Sequence, residues 1–348
     1  MKFGALKFTS TNIGDEIQSI AAQRFLPKID YYIFREQLSN FKSSEKVKLI
    51  MNSWYMWKPQ NFPPSNSIEP LLVSMYFNPD CRKRILTKDS VSFFHKYGPV
   101  GCRDLSTQRW FEENGIPAYF SGCLTTTLIP NETIRKNNPH KYVLCVDCSD
   151  NICDYVKSKS IYPVYSFNKL LSPYIESLDR MVLAKVVLFM YHNAHCVITS
   201  NLHTALPCLA FGTRVCLLKK EYEISNGIGR FDGMESFFNW QTEDSFINNG
   251  YDFNYPMDNP KNYEGIRYSL IEKCKSFTGY DSEKPTIEDD FEPVHELISM
   301  LALNDKNIKR TLYWAGKKDL LKMIYLKAVK KADMYDIDSD EYLQIRKK

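Results

Sequence analysis

The sequence predicts an α/β protein with mostly parallel strands, arranged as two layered halves. Short apolar runs alternate with helical patterns along most of the chain, which implies parallel strands joined by helical crossovers. The alternation stops at a polar stretch rich in asparagine and proline, then resumes. The length, 348 residues, suits two domains at about 100–200 residues each.

In the first half, a strand is expected over Phe3 to Phe8, then a loop, "TSTNIGD", then a helix, "EIQSIAAQRFL". Acid at that helix start, Asp15 and Glu16, complements the helix dipole. "VKLIMNSWYMW" reads as a second strand. Pro59 to Pro70 reads as a loop, and "EPLLVSMYF" as one buried strand. "SVSFFHKYG" reads as a helix, "PVGCRD" as a strand, and "LSTQRWFEENG" as a helix closed by Gly115. "IPAYFSGCLTTTL" reads as a strand with a polar end. The linker is placed over Ile129 to Lys141. In the second half, strands are expected at "YVLCVDCS", "IYPVYSF", "CVITS" and "RVCLL". Helices are expected over Asp179 to His192 and Leu202 to Phe211. Beyond Gly250, helices are expected at "EPVHELISMLAL" and in the long basic stretch "NIKRTLYWAGKKDLLKMIYLKAVKKADMY". The domains are therefore set at 1–135 and 136–295, with C-terminal helices over 296–348.

Composition narrows function. A net charge of +4 on 45 basic and 41 acidic residues is too even for bulk nucleic-acid binding, but allows a local pocket for a small anion. The ten cysteines sit mostly in apolar runs and read as buried thiols of a reducing compartment. Cys145, Cys148 and Cys153 lack a second Cys or His pair at finger spacing, so no metal is expected. The N-terminus has no long apolar core, and Met181 to Tyr191 falls short of the roughly 20 residues that span a bilayer. A cytoplasmic protein is expected. The basic C-terminal helix reads as a packed, solvated helix or as a peripheral membrane or partner contact.

In parallel α/β sheets, ligands bind at the carboxyl ends of strands, where helix N-termini point bare N–H groups outward. Four segments put reactive residues there. They are Asn12, Gly14 and Asp15; Arg103 and Asp104; Ser121, Gly122 and Cys123; and Ser200, Asn201 and His203. Each has a plainer reading: Asp15 as a cap, Arg103–Asp104 as a local ion pair, Ser121–Gly122–Cys123 as a tight turn. His203 is harder to explain structurally. A helix N-terminus disfavours imidazolium, so a merely structural histidine gains nothing electrostatic there.

Taken together, "TNIGDEIQ", "GPVGCRDLSTQRWFEENGI", "YFSGCLTTTL" and "VITSNLHTALPCLAFGTRV" resemble the polysaccharide pyruvyl transferase family, over residues 1 to about 235. The resemblance implies two Rossmann-like domains facing a cleft, like GT-B glycosyltransferases. It implies transfer of pyruvate from phosphoenolpyruvate onto two hydroxyls of a cell-surface glycan or its lipid-linked precursor, with no cofactor. It implies donor binding by Arg103, Ser200, Asn201, Leu202 and His203, with His203 as the acid. Asn12, Gly14, Asp15, Ser121 and Gly122 fall on the acceptor side, with Asp15 as a candidate base. The family motif is Ser-Arg-Leu-His, and here Asn201 replaces the arginine. Lys219, Lys220 and Arg230 are the nearby cations that would compensate. Two other readings stay open: a glycosyltransferase of the same architecture using a nucleotide sugar, and a non-catalytic glycan-binding member.

Overall fold

The computed structural model describes residues 1–10, 12–137, 141–167, 177–219, 231–248 and 250–287. All fall in one compact unit, Met1–Ile287. Lys220, Arg230 and both expected C-terminal helices, with their membrane contact, lie outside the described residues.

The fold is α/β, with parallel sheets. The first sheet contains β1 (Lys2–Lys7), β2 (Tyr31–Phe34), β3 (Val47–Ile50) and, after the two-residue strand β4 (Trp54–Tyr55), β5 (Ile68–Leu71). Their order is β2-β1-β3-β5, all parallel. β6 (Tyr76–Phe77) pairs with β4 and prolongs the sheet at its carboxyl end. Gly101 N–H donates to Leu72 O, Met75 N–H to Gly101 O, and Arg103 N–H to Met75 O. These bonds carry the ladder onto β7 (Val100–Cys102), which pairs in parallel with β8 (Ala118–Phe120). Tyr55, Phe62, Phe77, Phe94 and Phe111 stack into the buried layer beneath.

The second sheet contains β9 (Val143–Val146), β10 (Val164–Phe167), β11 (Cys196–Thr199), β12 (Val215–Leu218) and β13 (Asn239–Gln241). Its order is β10-β9-β11-β12-β13, again all parallel. β9, β11 and β12 are buried throughout, as expected for strands covered on both faces.

Three helices join the halves. These are α1 (Gly14–Gln23) from the first, and α7 (Ser177–Asn193) and α8 (Leu202–Phe211) from the second. α1 packs on both α7 and α8. The chain then returns to the first half. α10 (Glu264–Thr278) packs on the 3-10 turn Leu124–Thr127, Lys48 reaches Phe277 O, and Arg24 pairs with Asp281.

The structure departs from the sequence reading at particular elements. The single strand expected at "EPLLVSMYF" is two, because Ser74 takes φ +53° and turns the chain. The hydroxyl of Ser121 accepts from Ser74 N–H (2.9 Å) and donates to Cys102 O (3.0 Å), which satisfies the bend. "VKLIMNSWYMW" likewise splits into β3 and β4. β5 begins inside the region read as a loop, and "IPAYFSGCLTTTL" leaves its strand at Phe120 for the 3-10 turn. β2, β13, α2 (Pro79–Ile85), α6 (Asp150–Lys159) and α10 were not anticipated. All ten cysteines are free, and nine are buried. Among the described residues, no helix is long and apolar enough to cross a membrane.

Candidate functional site

The first turns of α1 and α8 meet, with the end of β7 between them. Asn201 caps α8. Its Oδ1 accepts from the His203 N–H at 3.0 Å, an arrangement an Asx side chain supplies where the first helical N–H groups lack partners. Pro207, four residues beyond His203, has no N–H to give the His203 carbonyl. The imidazole lies in the site with only 7% of the residue exposed. Its Nε2 is 3.5 Å from Nη1 of Arg103, a hundred residues away in sequence. On its other side is Gly14. A Cβ added there would lie 2.8 Å from His203 Nδ1 and 3.0 Å from its Cβ, so only glycine allows this approach. Asn12 Oδ1 accepts from Gly14 N–H and shapes the entry to α1. Thus Asn12, Gly14, Arg103 and His203, read from three separate motifs, are brought together.

Arg103 is 2% exposed. Its guanidinium lies over Tyr76, 4.3 Å from the ring centroid, and Nε has no hydrogen-bond partner among the described residues. Asp104, its neighbour, turns away. It caps α4 (Leu105–Glu113), accepting from Thr107 N–H at 2.8 Å and from Thr107 Oγ1. Burial raises the Asp104 carboxyl despite the Arg103 charge and those bonds. A buried guanidinium with an unfilled donor, beside an imidazole and two helix starts, is suited to an anion.

Asp15 is buried and fully engaged. Oδ2 accepts from Ser10 Oγ (2.5 Å) and Arg35 Nη1 (3.0 Å), and Oδ1 accepts from Gln18 Nε2 (3.3 Å). It is not the N-cap of α1, which is Ile13. Ser121 holds the Ser74 bend. Gly122, at φ +62°, leaves only 2.9 Å from an added Cβ to Ile266 Cγ2. Both therefore contact the protein itself, next to the carboxyl end of β7.

Ser200 Oγ donates to Asp147 O (2.8 Å), and Asn201 Nδ2 donates to Asp147 Oδ2 (3.1 Å). Asn201 is thus cap and carboxylate partner at once. Leu202 is buried. Lys219, at the end of β12, lies over Trp240, 5.1 Å from the ring centroid.

Two charged groups were missed from sequence. Arg35 is 1% exposed, bonded to Asp15 and Glu36, and lies over Phe8 and Trp54. Burial pulls its pKa down, but the two carboxylates outweigh this and leave it raised. Glu16, the neighbour of Asp15, pairs with Arg180 of α7 at 2.6 Å, and both are buried. Burial pushes the Glu16 carboxyl up to about 7, with Arg180 opposing. Arg180 meets Glu16 from another element, and Arg35, beside Glu36 in sequence, is buried by Asp15, Phe8 and Trp54 from other segments.

No family model and no curated protein matches the chain. Among solved structures it is similar to an uncharacterized protein from Klebsiella pneumoniae subsp. pneumoniae. The identity is 15% and the TM-score 0.45, over 69% of this chain and 93% of that one.

Proposed function

We propose that the chain is a pyruvyl transferase of the polysaccharide-modifying kind, with two Rossmann-like halves in a GT-B-like arrangement and its centre at His203. One observation carries the reading: the Arg103 guanidinium lies 3.5 Å from the His203 imidazole, with Gly14 packed against the same ring. In this reading Arg103 and the first turn of α8 hold the anionic groups of phosphoenolpyruvate. His203 protonates the enol carbon, which becomes the methyl group. One acceptor hydroxyl adds to the adjacent carbon, and a second displaces phosphate from it. Of the two hydroxyl protons, one balances the proton given to carbon and one leaves with phosphate. General acid assistance of this kind is worth about 10²–10⁴-fold in rate. Asp15 keeps its three bonds and fixes the acceptor-side loop rather than taking a proton.

A second reading is favoured by Asn201 and Asp147. The Asp147 carboxylate beside the α8 start repels phosphoenolpyruvate, which carries both a carboxylate and a phosphate, and can accept from sugar hydroxyls, as in a glycosyltransferase that turns the sugar of a nucleotide sugar toward it and its diphosphate away. Thermal melts decide between them. A ligand present at 100 times its Kd stabilises the native state by about 2.7 kcal/mol. A melting shift with phosphoenolpyruvate that is lost in Arg103→Ala and His203→Ala is expected. A shift with nucleotide sugars alone replaces the first reading with the second.

A further inference from the structure

A strip of aromatic side chains leads away from Arg103 along the carboxyl edge of the first sheet. Arg103 lies over Tyr76. Tyr76 pairs in register with Trp54 across β6 and β4, so their side chains leave the same face. Trp57 leans on Trp54 in a tilted contact, the ring centroids 4.7 Å apart and the planes at 48°, and Arg35 lies over Trp54 at 5.0 Å from its centroid. Tyr76 and Trp54 are half-buried, while Trp57 is 65% exposed.

The turn that carries this exposed indole is held at its backbone. Glu36 Oε2 accepts from the N–H groups of both Trp57 (2.9 Å) and Lys58 (2.8 Å). Glu36 Oε1 accepts from Arg35 Nε (2.8 Å), and Arg35 Nη1 donates to Asp15. The Trp57 turn is therefore tied through two charged side chains to Asp15 in the first turn of α1, next to Gly14 against His203. Lys58 and Gln60, on the same turn, are exposed.

We propose that Trp57, backed by Trp54 and Tyr76, is the face on which a pyranose ring of the acceptor lies. This deepens the transferase reading and rests on it for the word acceptor. The C–H face of a pyranose is apolar and carries partial positive charge, which matches the negative face of an indole. Its equatorial hydroxyls point sideways, where Lys58 and Gln60 can meet them. Fixed aromatic faces bind at low entropic cost, because the side chain is already ordered. The strip begins at Arg103, so a sugar lying on it extends toward His203.

The test is saturation-transfer NMR and calorimetric titration with methyl glycosides of glucose, galactose and mannose and their β-linked disaccharides. The wild-type chain is expected to bind at least one of them. Trp57→Ala weakens that binding about tenfold, while Trp240→Ala, which removes an exposed tryptophan at β13, leaves it unchanged. Saccharide binding of this pattern without any phosphoenolpyruvate shift supports the platform and removes only the donor assignment. Three results overturn it: no binding of any probe by wild type, equal binding by Trp57→Ala, or a self-association lost in Trp57→Ala with no saccharide bound. Because Trp57 is mostly exposed, its variant folds, and matching melting curves verify that.

Discussion

Gly14→Ala tests the convergence on which the site depends. Alanine in an exposed helix is better than glycine by about 1 kcal/mol, and less at a first helical position. On helix propensity alone, the change is neutral or stabilising. The structure predicts the opposite. The new Cβ would sit 2.8 Å from His203 Nδ1, 3.0 Å from its Cβ and 3.1 Å from Asn12 Oδ1. The imidazole has little room to rotate, since its far nitrogen meets Arg103. Overpacking of this type costs about 1–3 kcal/mol, so the net loss is about 1–2 kcal/mol in denaturant unfolding. The ring must shift, so the His203 imidazole signals move in NMR spectra. In a His203→Ala background the 2.8 Å clash is gone and the 3.0 Å one stays. A favourable coupling of about 1 kcal/mol is then expected in the double-mutant cycle. A Gly14→Ala variant more stable than wild type, with unmoved His203 signals, refutes the contact between α1 and α8.

Ser121→Ala removes the hydroxyl that serves Ser74 N–H and Cys102 O. A loss of about 1–3 kcal/mol in unfolding is expected, with saccharide and donor Kd unchanged; a changed Kd with intact stability puts Ser121 in the acceptor site instead. Asn201→Ser and Asn201→Asp both keep a capping oxygen, but the aspartate places a second carboxylate at about 3 Å from Asp147. It is expected to be less stable than the serine variant by about 1–4 kcal/mol at pH 7, with the gap closing toward pH 4; equal stability of the two across that range rejects the Asn201–Asp147 pairing. For Glu16 the folded-state value is about 7 against 4.5, so between them the native state binds the extra proton. That contribution is present below pH 4.5 and is lost as pH rises through 7. Wild type is therefore expected to lose about 3 kcal/mol relative to Glu16→Gln between pH 4 and 8, read from urea midpoints, and a flat difference contradicts it.

Legibility in the sequence followed how local the cause was. The β11–α8–β12 unit was readable to within a residue because its signals are adjacent: a buried strand, a polar break, and Gly212 closing the helix at φ +71°. α2 and α6 carried start signals of the same kind, Asn78 with Pro79 and Ser149 with Asp150, and these were overlooked. α10 is different. Only Leu270, Cys274 and Thr278 are buried, a narrow stripe on an otherwise polar helix. The Ser74 bend rests on a hydroxyl 47 residues away, which no window on the sequence contains. In the site, the residues on strand ends were legible because topology brings such ends together. Arg35 was not, since its place is set by Asp15, Glu36 and two rings from other segments.

Under the proposed pyruvyl transferase reading, Asn201 in the place of an arginine is not a simple deletion of charge. An arginine there would lose the cap on His203 N–H, worth about 1 kcal/mol, and would pair with Asp147. Asn201 instead keeps the cap and binds Asp147 through its amide, so the first turn of α8 is held without a cation. That leaves Arg103 as the buried guanidinium in contact with His203. Tyr76 covers one face of that guanidinium, and its buried Nε has no partner among the described residues. In the proposed reading, the aromatic strip and the Arg103–His203 contact lie along one sheet edge, with the donor on β7 and the acceptor beyond β4.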